Sequence, residues 1–505
     1  MDTISAAADE LAIAPLLACL LREAADPVHG TVHRTRAGGR LLRVPPRHRP
    51  VSAELHIDGG WRELNHSELV KLVVEELTAL TGISNDTLPA EMIDSRDAVA
   101  AMLAARAGAA PPDDLWLRSE QSLVMGHPFH PAPKARGGGP ADTWLRYAPE
   151  AFARFPLVLL AVRVDAVEED GDLSALDALG AVVPPGHVLL PAHPWQLSLV
   201  GRRPAVSEAF ADGRLIRLDA PGPWAAPTSS VRTVHLAGDD LFLKFSLDVR
   251  ITNDVRRLWL HDLARLRTTD AAVAAAFADD AAGSAAGSAA SSAAWLGDRG
   301  YRTVAGLGEE LAVVVRDGLR GRVAPGATPV LAAALAEGFD GSPLAGARDA
   351  VAWWTAYLRC VVPPVLRAFA RHGVVLECHL QNCLVAVDAS GLPVQAVFRD
   401  VEGVKRVGET SRPAAWERLV YCLVVNHLME IASALADRHP HAAPALWPTA
   451  RAELARWARE LPLAELTHLL DAPTVPGKTN LLLRWTSADG AASRYVPLRN
   501  PLRAG

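Results

Sequence analysis

The sequence predicts an α+β chain of more than one domain. Three observations carry this: a helical apolar repeat near the N-terminus, two segments of alternating polar and apolar residues that read as β-hairpins, and a return of helical periodicity toward the C-terminus. The 505 residues suffice for two to four domains with a substantial core.

Residues 1–115 read as mostly helical. The first segment, DTISAAADELAIAPLLACLLREAAD, lacks a basic leading region and reads as an amphipathic helix rather than a signal peptide. In LVKLVVEELTAL, Leu69, Leu72, Val73, Leu77 and Leu80 share a face, Ser67 and Glu68 precede it, and Gly82 is the expected stop. Proline and histidine then gather in GHPFHPAPKARGGG and PAHPWQ, which read as loops because proline blocks helix and central strand. The first loop presents Lys134 and Arg136 to an anion; in the second, a buried histidine beside a core tryptophan and a catalytic histidine both remain open.

Residues 228–252 read as a hairpin, TSSVRTVHL and LFLKFSLDVRIT around the turn AGDD. In its second strand Lys244, Ser246, Asp248, Arg250 and Thr252 share a polar face. A helix beginning at NDVRR is expected next, with Thr252 or Asn253 as N-cap. Residues 271–294 are low-complexity and read as a surface insertion. A helix over 351–371 is expected to kink or break at Pro363 and Pro364. The second hairpin, LECHLQNCLVAVDASGLPVQAVFRDVEG, places Glu377, His379 and Gln381 on one strand face and Asp400 and Glu402 at its far end. More helices run to about residue 470, and KTNLLLRW, 478–485, reads as a late strand.

Bulk properties exclude several classes. A net charge of −6 argues against a broad nucleic-acid surface. Five cysteines without a CxxC pair read as reduced thiols of a cytoplasmic protein. No uncharged apolar stretch of about 18 residues is evident, so no membrane span is expected. G-x-S-x-G, Walker A and dinucleotide fingerprints are absent, and PGKT at 476–479 is only a fragment of a phosphate loop.

Two constellations remain. Ser230, Arg232, Thr233, Lys244 and Arg256 combine hydroxyls with positive charge, and Arg256 falls in the first turn of the expected helix, so together they would cradle a polyphosphate. A solvated strand face with scattered charges is the alternative. The polar face of the second hairpin, with Asp400 at its end, suits a magnesium ion held against phosphate oxygens, or else faces water. Lys478 is an anion ligand or a snorkelling lysine.

Six motifs in order, GHPFHPAPKAR, PAHPWQ, PTSSVRT, LKFSLDVRITNDVR, ECHLQN and FRDVEG, with Lys478 as a further match, resemble the IucA/IucC (aerobactin-synthetase-like) family of siderophore synthetases. The resemblance implies a cupped hand: a helical thumb over 1–115, fingers over 116–315 and a distantly kinase-like palm over 316–505, built on antiparallel sheets. It implies ATP- and Mg²⁺-dependent, AMP-forming condensation of a polycarboxylate such as citrate with an amine, hydroxylamine or alcohol. It implies that Lys244, Arg256 and His379 carry catalysis, and that His130, Ser230, Arg232, Thr233, Lys244, Arg256, His379, Gln381 and Asp400 meet ATP. Thr252, Arg256, Glu377, His379 and Lys478 would line the carboxylate site, Asp400 would meet the metal, and a homodimer is compatible. Met125, Cys378 and Leu380 replace residues usual in the family and mark places where specificity would differ. A kinase-like phosphotransferase and a degenerate ATP-binding regulator are the competing readings.

Overall fold

The computed structural model describes residues 2–47, 49–137, 139–283, 293–487 and 495–503. The α+β expectation holds. The first helix, Asp2–Glu23, buries Ala12, Ile13, Leu16, Leu17 and Leu20 and accommodates Pro15. The helix His66–Thr81 starts at a reciprocal cap: Asn65 Oδ1 accepts from Glu68 N, and Glu68 Oε2 accepts from Asn65 N. Gly82 ends it at φ 69°, the left-handed conformation in which glycine has no Cβ clash. Between these two helices lies a five-stranded antiparallel meander, Ala25–His29 to Gly60–Glu63, that the helical reading missed.

A seven-stranded sheet follows, in which Trp224–Pro227, Thr233–Leu236, Leu241–Phe245 and Val313–Asp317 lie side by side. The expected division at 315/316 falls inside the strand Val313–Asp317. A four-stranded sheet carries Cys383–Val387 and Pro393–Arg399; its edge strand Ala294–Leu296 runs parallel to Pro393–Arg399, so the sheets are not purely antiparallel. Ala294–Leu296 precedes the strand Asp298–Val304 of the seven-stranded sheet, so the chain passes directly from one sheet to the other.

The helix Ala350–His372 is continuous through Pro363 and Pro364 rather than broken. Both prolines are buried in the C-terminal core, and both helix ends are capped, by the Asp349 carboxylate and by Gly373 at φ 63°. Packing and caps offset the lost N–H donors. Residues 266–283 form a helix whose Val273, Ala276 and Phe277 enter the same core, so this part of the low-complexity run is structural; 284–292 lie outside the described residues. The late segment is a strand, Thr474–Lys478, followed by a short helix, Asn480–Trp485, not one strand. Trp485 is buried in the N-terminal core, so the end of the chain returns to its beginning.

Two helical runs, Thr3–Glu23 and Arg412–Arg438, are long and apolar enough to cross a membrane by length and composition alone, although both carry charged residues. Half and 83% of their apolar windows are buried inside the protein, which accounts for the apolarity of the second as core.

Candidate functional site

The site lies where the seven-stranded sheet, the four-stranded sheet and the C-terminal strand meet. Thr233 and Lys244 are direct partners across adjacent strands. Lys244 is only 3% exposed, so its strand face is not open to water. Its Nζ donates to Asp400 Oδ1 at 2.7 Å and lies 2.6 Å from Glu402 Oε2. Arg232 is buried beside it, giving NH2 to Glu402 Oε2 at 2.6 Å and NH1 to the carbonyls of Arg256 and Arg257. Arg316 adds a third cation, bound to Asp298 at 2.6 Å and 3.4 Å from Asp400. These cations hold the Asp400 carboxyl well below the usual range and Glu402 at about 2, even though burial alone would raise both.

Ser230 Oγ accepts from Thr233 N, and the Ser229 amide donates to Glu120. Glu120 is fully buried and pairs with Arg399 at 2.6 Å, tying the TSS turn to the end of the strand Pro393–Arg399. Three non-glycine residues of the site have left-handed backbone: Val231 at φ 66°, Thr252 at 60° and Asp400 at 78°. For a β-branched residue this conformation is costly, and such strain concentrates at functional sites.

No helix begins at NDVRR. Arg250–Ile251 and Asp254–Val255 form a two-residue hairpin with Thr252 and Asn253 as its turn, and the next helix is Leu260–Leu263. Arg256 is therefore not at a helix N-terminus. Its NH2 donates to Thr252 Oγ1 at 2.6 Å and to Ile251 O, and burial lowers its pKa.

ECHLQN is not a strand either. Leu380–Asn382 is a turn of 3-10 helix, and the strand starts at Cys383, because the His379 side chain caps the turn by accepting from Gln381 N. That bond engages Nδ1, while Nε2 lies 3.4 Å from Asn382 Nδ2 and 3.9 Å from Glu377 Oε2. Burial lowers the His379 pKa, so the ring is neutral. Arg399 binds the Gln381 carbonyl. Glu377 Oε1 pairs with Arg418 at 2.7 Å, and Arg418 also donates to Gly403 O. A Cβ at Gly403 would lie 1.7 Å from Glu377 Oε2, so a side chain there would push the Glu377 carboxylate aside. Lys478 ends its strand opposite Tyr495 and has no hydrogen bond or ion pair among the described residues; burial lowers its pKa.

The structure thus gathers Ser230, Arg232, Thr233, Lys244 and Asp400 in one cluster, and Thr252, Arg256, Glu377, His379 and Lys478 within electrostatic reach of it. Other expectations are corrected. His130 is 1% exposed and its Nδ1 accepts from Ala132 N, so it is buried in its own loop. Lys134 and Arg136 are buried against Glu150, so they hold their loop instead of meeting an outside anion. His193 is buried and caps the helix Pro194–Val200. Cys378 and Leu380 are buried in the C-terminal core and do not line the cleft. Met125 N and Gly126 N donate to the Glu337 carboxylate. No group of three or more His, Cys, Asp or Glu residues among the described residues is arranged to hold a metal alone. Sequence reasoning missed Glu120, Arg316 and Arg418, which come from distant segments and follow no local pattern.

Residues 116–337 match the model of the IucA / IucC family, and residues 351–493 match that of the ferric iron reductase FhuF-like transporter. The chain is 30% identical over 446 residues to an L-2,3-diaminopropanoate--citrate ligase of Staphylococcus aureus, covering 77% of this chain and 75% of the relative. It is 28% identical to the rhizobactin siderophore biosynthesis protein RhbC of Rhizobium meliloti, over 97% of both chains. Its fold is similar to that of ATP-bound aerobactin synthetase IucA of Klebsiella pneumoniae, with a TM-score of 0.80 and 23% identity over 98% of this chain and 100% of that one.

Proposed function

The chain belongs to the IucA/IucC family of siderophore synthetases, and from that premise we propose that it is an ATP-dependent ligase joining a polycarboxylate of the citrate class to an amine in siderophore assembly. The observation that carries the reading is the buried cluster of Lys244, Arg232 and Arg316 held by Asp400 and Glu402. Buried cations whose counter-ions are partly exposed carboxylates fit an anionic substrate, since incoming phosphate oxygens can replace carboxylate oxygens.

In this reading Ser230, Arg232, Thr233, Lys244 and Arg256 hold the triphosphate of ATP. A carboxylate oxygen of the acid attacks the α-phosphorus, the bond from that phosphorus to the bridging oxygen breaks, and pyrophosphate leaves. The amine nitrogen then attacks the acyl carbon of the acyl adenylate, loses a proton, and AMP departs. The Nε2–H of His379 donates to oxygen at the reacting centre, and Arg256, oriented by Thr252, holds the acid beside it. Asp400 and Glu402, freed from the cations, would hold Mg²⁺, which when bound supplies charge neutralisation on the phosphates. The chain would act in the cytoplasm, with a mixed helix-and-sheet thumb, fingers and kinase-like palm around the cleft. The FhuF-like match does not favour iron chemistry here, because the described residues lack a donor set of three.

The test is citrate-dependent exchange of labelled pyrophosphate into ATP, followed by product analysis with an added amine. AMP and pyrophosphate are expected. ADP and phosphate would replace this reading with the phosphotransferase.

A further inference from the structure

We infer that Asn253 and Asn480 are positioning residues: their side-chain amides form a joint that sets the distance between Arg256 and Lys478, the two cations that receive the polycarboxylate. This rests on the ligase reading above.

The joint is traced bond by bond. Asn480 lies two residues after Lys478 and is 2% exposed. Its Nδ2 donates to Phe129 O at 2.6 Å. A carbonyl oxygen only accepts, so the NH2 side of this amide faces Phe129 and Oδ1 faces away from it. There Oδ1 accepts from Asn253 Nδ2 at 3.1 Å. Thr252 and Asn253 form the turn of the two-residue hairpin, and Thr252 Oγ1 accepts from Arg256 NH2 at 2.6 Å. From Lys478 to the Arg256 guanidinium the path therefore runs through a short stretch of chain, one bond between amides and one hydroxyl.

Both sides of the joint depend on it. Lys478 has no hydrogen bond or ion pair among the described residues, so its place is set by its segment. That segment is fastened on its far side, where Leu481 N and Leu482 N donate to Glu23 at 3.0 and 2.8 Å. On the other side, Thr252 has φ 60°, a conformation that a β-branched residue keeps only when its surroundings impose it. Arg250 NH1 donates to Asn253 O at 2.6 Å and holds the turn from within. Asn480 holds it from without. Without that amide the turn can relax, and the Arg256 guanidinium moves with Thr252.

A polycarboxylate carries its charges at a fixed separation, so its affinity follows the spacing of the cations that meet it. The triphosphate keeps Lys244 and Arg232, whose partners Asp400 and Glu402 lie outside the joint. The joint thus acts on the acid more than on the nucleotide.

The experiment uses the full chain and the pyrophosphate exchange reaction, with whichever of citrate and 2-oxoglutarate wild type exchanges better. Asn253→Ala and Asn480→Ala should each raise the KM for that acid about fivefold, the worth of one hydrogen bond between neutral groups. The KM for ATP and kcat should stay within about twofold of wild type. The double variant should be no worse than the worse single, because both remove the same bond. Asn85→Ala is the control: Asn85 Nδ2 donates to Trp485 O at 2.8 Å and holds the far end of the helix Asn480–Trp485. It should lower the thermal midpoint and leave the acid's KM unchanged. Should Asn480→Ala not fold, Asn253→Ala decides, since Asn253 is only half-buried. The inference is overturned if the acid's KM stays at the wild-type value, if Asn85→Ala raises it as much, if the KM for ATP rises in step, or if the single effects multiply in the double variant. Absence of exchange in wild type with either acid would remove the ligase reading, and this inference with it.

Discussion

The two ends of the cleft treat positive charge in opposite ways. At the end where the two large sheets meet, Lys244, Arg232 and Arg316 are each bound by a carboxylate at 2.6 or 2.7 Å. At the other end Lys478, on the C-terminal strand, has no ion pair among the described residues. The first arrangement is stable when empty and binds by exchanging one anion for another. The second leaves a half-buried cation without a protein counter-ion, and a ligand binds by supplying one. A ligand at the first end must compete with the protein; one at the second relieves it.

The largest effect should come from breaking the paired end. Arg316→Met strands the Asp298 carboxylate, itself 1% exposed, and should destabilise the fold by about 3–5 kcal/mol in urea unfolding. The double variant Arg316→Met with Asp298→Asn should recover much of the loss.

Glu402→Gln sharpens the contrast without dismantling it. It removes a negative charge that competes with phosphate for Lys244 and Arg232. Metal-free tripolyphosphate should bind about tenfold tighter by calorimetry, while the gain from adding Mg²⁺ should shrink.

Lys478→Met tests the other end. No partner is stranded, so the thermal midpoint should change little. The KM for the polycarboxylate in the exchange reaction should rise at the same time.

The smallest effect is a pH slope. Burial raises the Glu23 carboxyl from its ordinary value of 4.5 to about 7. Between those values the folded state binds more protons than the unfolded one, so this residue's contribution is fully present below pH 4.5 and is lost as pH rises through 7. Glu23→Gln should flatten the stability profile in that window.

Much of the cluster was legible because its local geometry is regular. Thr233 and Lys244 sit on adjacent strands joined by a four-residue turn, and period-two reasoning reaches that far. It failed at ECHLQN, where a side-chain cap from His379 beats the alternation, and at NDVRR, where a tight turn takes the place of the expected N-cap. The N-terminal meander was hidden by strand length: its strands have three to five residues, too few to show a period. One signal was available there, the Asp58-Gly59 turn with φ 49° and 81°, which marks a hairpin. The roles of Glu120, Arg316 and Arg418 had no local signal, because each depends on residues brought near only by the fold.

The contact at Gly403 bears on how enzymes of this shape diversify. The turn from Asp400 to Gly403 carries phosphate-end carboxylates on one side and lies against the Glu377 carboxylate on the other, so a side chain added at Gly403 would displace that carboxylate. A change there that reshaped the acid's berth would also shift the groups that meet the nucleotide. Glu377 and Asp400 are thus tied through one short turn, and variation at either is felt at the other.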